Sequence, residues 1–275
     1  MRRPLLLVLL AGSRILAQNI TFATVEPSVV EQRFARLRPK NDERASVLRE
    51  IFHEAGCTDE HWAEVKVRGS KLPNLICTLA GSSARQVIVT AHYDQTGGGQ
   101  GAIDNWSGAS LLPSLYQSLS NQPRTLTFVF VLTMDEEKGM VGSRDFASHL
   151  SPEQVRNTVA NVNIDSIGLP GQTYLWASRA APELLNATAL IASAMKLNVG
   201  PMNIDGVGES DSRPFLDRRI PVIDFHSLTG KTITLLHSKK DVPEAINSAA
   251  YYDTFHLITG LLAYLDAKAD PEEKH

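Results

Sequence analysis

The sequence predicts a three-layer α/β/α sandwich around a mostly parallel, mixed central sheet. Three observations carry that expectation. Short β-branched and apolar runs, such as 86–91 (QVIVTA) and 126–132 (LTFVFVL), read as strands buried on both faces. Segments with helical spacing of apolar residues separate these runs, which favours parallel pairing through crossover helices. The runs also end abruptly in acidic or imidazole side chains, where open α/β sheets keep their ligand crevice.

Composition bounds the rest. The 275 residues are 43% apolar and 21% charged, enough for one substantial domain and unlike a disordered or fibrous chain. A formal charge of -3 with no long Lys/Arg block argues against nucleic acid as a partner. Residues 1–17 place Arg2 and Arg3 before the apolar run 5–11 and the small Ala17, the layout of a secretory signal peptide too short to span a bilayer. The expected organisation is therefore a signal peptide at 1–17, one domain at 18–268 and a charged tail at 269–275. After cleavage the protein is expected to be secreted or periplasmic, without stable membrane insertion; its oligomeric state is not legible. In an exported chain Cys57 and Cys77 read as one disulfide. Closing a loop of that size stabilises by about 3 kcal/mol, through the unfolded state, in the chain-entropy model.

Residues 29–55 read as helix broken near Pro39 and Asn41, with Val47, Leu48, Ile51 and Phe52 on an apolar face and Gly56 as the stop. The alternating segments 61–67 and 75–79 suggest a hairpin near a sheet edge. Strand 86–91 then runs into His92, Tyr93 and Asp94. The loop 95–102 is glycine-rich, so its backbone can pass close to whatever the site holds. No GKS or GKT follows it, and Gly230-Lys231-Thr232 has Phe225 where a phosphate loop needs glycine. Asp104 and Asn105 close the loop before a helix at 107–119. Strand 126–132 leads to Asp135, Glu136 and Glu137; Gly139 and Gly142 permit a close turn into a helix at 143–150. Strand 159–164 ends in Asp165, followed by a strand at 174–177 and an amphipathic helix at 182–197. A short strand at 221–225, a loop holding His237 and a helix at 248–265 complete the chain.

Three strands thus end in His92, in Glu136 with Glu137, and in Asp165, and two loops add Asp104 and His237. Singly, each has a structural reading: a strand-end His is more often structural than a ligand, and Asp165 could cap a helix. Asp94 could form a turn, or accept from His92 and fix the imidazole tautomer. Jointly they are the imidazole and carboxylate donors that zinc accepts. Without a cation, that many carboxylates in one crevice cannot all remain ionised. Two divalent ions bring +4 against -3 from Asp104, Glu137 and Asp165, so a dinuclear site balances once a hydroxide joins it.

The ordered set H-x-D (His92, Asp94), G-A-x-D-N-x-S-G (from Gly101), E-E-x-G-x-x-G-S (from Glu136), N-x-D-x-I-G (from Asn163) and a late His loop resembles the M28 family of zinc aminopeptidases. The resemblance runs from about Gln86 to the last helix. It implies that His92 and Asp165 hold one zinc, Glu137 and His237 the other, and that Asp104 bridges the two Zn2+. It makes Glu136 the general base towards a metal-bridging water, peptides the substrates, and the Asp104 to Asn105 peptide cis. Where some relatives carry a Tyr before the last His, this chain has Leu236. The stretch around Asp211 (SDSRPFLDRRIPVI) also resembles glutaminyl cyclases, which use a similar Asp near a single zinc. Asp211 is accordingly a candidate substrate-binding residue, and cyclisation of amino-terminal glutamine the alternative activity. A non-catalytic secreted binding domain is the third reading, and it would be expected to lack donors. H-E-x-x-H and G-x-S-x-G designs are absent: Cys57 and Asn105 stand where a His and a Gly are required.

Overall fold

The chain in its computed structural model is described over residues 22–206 and 208–269, so the expected signal peptide and all of the charged tail beyond Ala269 lie outside the described residues. The elements run α1 (Pro27–Phe34), α2 (Asn41–Glu54), β1 (Trp62–Val65), β2 (Asn74–Leu79), β3 (Gln86–His92), α3 (Ser107–Ser120), β4 (Thr127–Thr133) and α4 (Val141–His149). They continue with α5 (Pro152–Asn157), β5 (Thr158–Ile164), β6 (Thr173–Leu175), α6 (Pro182–Met195), β7 (Val199–Pro201), α7 (Arg213–Asp217), β8 (Val222–His226) and α8 (Ser248–Ala269). The strands form one sheet in the order β1-β2-β4-β3-β5-β8-β6-β7. β4, β3, β5 and β8 are parallel, whereas β1 with β2, β2 with β4 and β6 with β8 are antiparallel, so the mixed sheet follows the expected architecture.

Local chemistry explains the boundaries. Helix α2 starts after Pro39 with Asp42 and Glu43 in its first turn, where they oppose the positive helix end, and stops before Gly56, whose φ of 102° suits a left-handed cap. Cys57 and Cys77 are disulfide-bonded, which pins the end of α2 to β2. Helix α5 was not expected, although Ser151 and Gln154 form a reciprocal capping box at its start. The short β7 and α7 were likewise not expected, because three to five residues carry no periodic signal. The strand expected at 174–177 spans Thr173–Leu175, and Trp176 just past it still donates its N–H to Asp224 O of β8 (3.2 Å).

The two sheet faces differ. Val87, Val89, Phe128, Phe130, Ala160, Val162, Ile223 and Phe225 point into the larger core with buried residues of α1, α2, α3, α6 and α8. Ile88, Val131 and Val222 point the other way, against Ala147 and Leu150 beside α4 and Phe215 of α7. Towards the carboxyl ends this second face turns polar: Asn161 Nδ2 donates to Thr90 Oγ1 (3.0 Å), Thr90 Oγ1 to Asn163 Oδ1 (2.8 Å), and Asn163 Nδ2 to Asp224 Oδ1 (3.0 Å). These bonds pair most of the buried polar atoms on this face, leaving Asn161 Oδ1 and Asp224 Oδ2 without a partner among the described residues, and the ladder underlies what stands above it. From β3 the chain crosses to β4 through α3 in one helical layer, and from β4 it passes through α4 in the other layer and returns beyond β3 to β5. That reversal of direction creates the crevice at the strand ends.

Phe130 is fully buried at the sheet centre, with ring centroids 5.8 Å from Tyr116 and 6.3 Å from Phe52. Phe130→Ala is expected to cost about 3–5 kcal/mol, read as a lower denaturant midpoint at unchanged slope.

Candidate metal centre

His92 ends β3, is only 1% exposed, and sits in register with Thr133 at the end of β4. Its Nε2 lies 3.1 Å from Asp104 Oδ1 and 3.7 Å from Asp165 Oδ1, while its Nδ1 lies 3.4 Å from Asp94 Oδ1. His237 Nε2 lies 3.0 Å from Asp104 Oδ2 and 2.9 Å from Glu137 Oε2. Five residues separated by up to 145 positions thus form two triads, His92, Asp104, Asp165 and Asp104, Glu137, His237, each with its donor atoms within 4.8 Å of one another. Asp104 belongs to both. Neither nitrogen of His92 makes a well-directed hydrogen bond, and Glu137 Oε1 is buried without one. Orphaned buried donors aimed at carboxylates are costly as they stand and are what a divalent cation would satisfy; imidazole and carboxylate are the donor set of zinc.

Each donor is held by its own local structure. Asp104 lies at a kink in the segment Ala102–Trp106, where its φ of -113° and ψ of 95° leave the helical range, and its peptide bond to Asn105 is cis, as the resemblance implies. Asn105 Oδ1 accepts from the amides of Gly108 (2.9 Å) and Ser166 (3.1 Å), and its Nδ2 donates to Ile164 O (2.8 Å), tying the start of α3 to the end of β5. Asp94 accepts from the amides of Glu136 (3.1 Å) and Glu137 (3.3 Å), so one carboxylate orders the turn carrying both residues and also faces the His92 ring. The glycine-rich loop packs on the His237 loop, where a Cβ at Gly98 would stand 2.2 Å from His237 O.

Other placements qualify the sequence reading. Glu136 lines a cavity of about 250 Å³ beside the triads and belongs to neither. Asp211 does not line that cavity. It is buried, one of its oxygens accepts from Thr133 Oγ1 of β4 while the other has no partner among the described residues, and its charge adds to the rise of Glu136. His226 lines the cavity, but its Nε2 meets Met202 O (2.9 Å) and its Nδ1 accepts from Leu228 N (3.1 Å), which satisfies the neutral ring. Asp241 was missed; it accepts from the amides of Ile103 (2.6 Å) and Asp104 (3.4 Å), and its only sequence signal is that it shares a loop with His237. The cavity continues past Trp176, Ile204, Leu228, Ile233 and Leu236, which form the apolar part of its wall.

The charges follow this crowding. Burial pushes Glu136 up to about 10 and Glu137 up to about 7, with Asp104 adding to both rises. His237 is raised to about 9, chiefly by its bond to Asp104. Burial opposes protonation of His92, but Asp104, Asp165 and Asp94 outweigh it and hold the ring well above its ordinary value. Asp104 is lowered: burial works against ionisation, and the two imidazoles overcome it.

The family model of Peptidase family M28 matches residues 74–262, well over half the sequence. The chain belongs to peptidase family M28. This M28 chain is similar to Aminopeptidase YwaD of Bacillus subtilis, with 30% identity over 154 residues, covering 50% of the chain and 31% of YwaD. The match therefore spans about a third of that relative's length. Among solved structures it is similar to BSAP, a zinc aminopeptidase from Bacillus subtilis (TM-score 0.64, 22% identity, 70% of this chain and 50% of that one). It is also similar to a glutaminyl cyclase from an Acidobacteriales bacterium (TM-score 0.72, 16% identity, 88% of this chain and 94% of that one). At these identities the two structures attest the fold.

A pH dependence follows for the metal-free protein. His237 titrates near 6.5 unfolded and about 9 folded, and Glu137 near 4.5 and about 7, so the folded state retains protons that the unfolded chain releases. Stability from these groups is present below the unfolded values and lost as pH rises through the folded ones; Asp104, lowered, loses its contribution only in acid. The melting temperature of chelator-treated protein should fall between pH 5 and pH 9, and added zinc should recover more of it at pH 8 than at pH 6.

Proposed function

We propose that the chain is an exported two-zinc aminopeptidase that removes amino-terminal residues from peptides. The observation that carries this reading is the pair of three-donor clusters sharing Asp104, with Glu136 free beside them in the same cavity. His92 and Asp165 would hold one ion, Glu137 and His237 the other, and Asp104 both. When bound, the ions supply Lewis acidity, lowering the pKa of water and polarising a carbonyl. Glu136 takes the proton from the attacking water and hands it to the departing amine. Its burial raises proton affinity, and adjacent positive charge would bring it back towards the neutral range where a base works best. Asp94 keeps Glu136 and Glu137 in place through their amides. The apolar wall from Trp176 to Leu236 would receive the substrate's first side chain, and Leu236 offers no hydrogen bond to a developing oxyanion.

Export is supported by the Cys57 to Cys77 disulfide, which suits an oxidising compartment. Among the described residues no helix is long and apolar enough to cross a membrane. Glutaminyl cyclisation is the second reading, favoured by the likeness that spans 94% of the cyclase chain. A binding domain with a decayed site is disfavoured, since all five donor positions are filled.

Glu136→Gln should retain its metal while kcat/KM on amino-terminal fluorogenic substrates falls about 10²- to 10⁴-fold; full activity would remove Glu136 from its role. Asp104→Ala should lower zinc per chain by elemental analysis, and unchanged stoichiometry would rule out the shared position. Two zinc ions with release of amino-terminal residues supports the peptidase, whereas one zinc with cyclised glutaminyl peptides supports the cyclase.

A further inference from the structure

Arg44 has no exposed surface, although it belongs to α2, upstream of the residues that the M28 family model matches. Its guanidinium donates to four backbone carbonyls: Nε to Arg38 O (2.9 Å), Nη1 to Tyr93 O (3.1 Å), and Nη2 to Gln100 O (2.6 Å) and Gly101 O (3.1 Å). Tyr93 follows His92 directly, and Gly101 lies three residues before Asp104. The planar fork therefore closes the loop at both ends, where the chain leaves one donor and where it returns to the next. Gly101 is fitted to it, with φ at +59° and an added Cβ placed 2.7 Å from Arg44 Nη2. The ring of Trp106, two residues past Asp104, flanks the guanidinium at 5.7 Å. Burial lowers the guanidinium pKa to about 10, and Asp241, Asp94, Asp104 and Glu137 oppose that fall, so the charge is felt across the carboxylate cluster.

We infer that Arg44 is a positioning residue of the metal centre: from outside the peptidase core it sets the separation of His92 and Asp104 by bridging Tyr93 O to Gln100 O and Gly101 O. This rests on the two-zinc reading. Such a residue never touches substrate, so its effect is read in how tightly the site holds zinc. Lysine keeps the charge but, with a single ammonium, cannot span both ends of the loop.

The test compares wild type, Arg44→Met, Arg44→Lys and Leu48→Ala, all checked for fold by circular dichroism, in zinc competition against a chromogenic chelator. Leu48 is fully buried in the apolar core on the same helix and makes no polar bond to the loop, so its variant reports what loosening α2 does by itself. Arg44→Met should weaken zinc binding at least tenfold and Arg44→Lys by less, while Leu48→Ala lowers the melting temperature yet stays within twofold of wild type. If Arg44→Met does not fold, Arg44→Lys carries the test with an expected loss above twofold. Arg44 variants within twofold of a zinc-binding wild type, or a Leu48→Ala loss equal to that of Arg44→Met, overturn the inference. A wild type that takes up no zinc overturns the two-zinc reading first, and this one with it.

Discussion

Carboxylates gathered in a buried crevice repel one another, and the site is organised around supplying the positive charge that lets them stay. Asp104 feels this most: it is buried between His92 and His237, each of which presents Nε2 to one of its oxygens at 3.0 to 3.1 Å. In the metal-free molecule the imidazoles answer by holding protons well above their ordinary range, and Glu136 and Glu137 by resisting ionisation. Divalent cations would do the same work with more charge in less volume, which is why the donors read as a metal centre rather than a set of salt bridges.

Keeping such a cluster intact requires a frame that does not relax. The larger face of the sheet is apolar and packs on five helices, while the opposite face changes along the strands from Ile88 and Val131 to the paired ladder of Thr90, Asn161, Asn163 and Asp224. The polar ladder brings the chain from hydrocarbon to metal-binding chemistry without leaving most of its amides unpaired. Around the centre, backbone amides do much of the fixing: Asp94 holds those of Glu136 and Glu137, and Asp241 those of Ile103 and Asp104. Arg44 supplies the complementary half, a cation that binds carbonyls of the same loop.

This arrangement separates chemistry from selection. His92 and Asp165 stand at strand ends, where their geometry is set by the sheet, whereas the apolar wall from Trp176 to Leu236 is built by loops and short turns, the last of them running directly into His237. The strand-end donors are the part of the frame least dependent on the loops, and the same fold is shared by the aminopeptidase and the glutaminyl cyclase to which it is similar.

The sequence by itself determined the strand and helix order of the long elements, the edge hairpin, the cysteine pair and the five His, Asp and Glu residues that the fold gathers into two triads. Buried strands are continuous apolar runs, and an abrupt switch to Asp, Glu or His at their ends is a local signal. It did not determine β7, α5 or α7, which are too short for periodicity to register. Only the tertiary structure decided that Asp211 bonds Thr133 of β4 and does not line the cavity, that Asp241 and Arg44 bond the backbone of residues 100–104, and that His226 is satisfied by backbone. Asp241, Arg44 and His226 act through backbone atoms brought close by folding, and backbone atoms are the same at every position, so no residue type or spacing announces them; Asp211 meets a Thr133 hydroxyl that only the fold brings near.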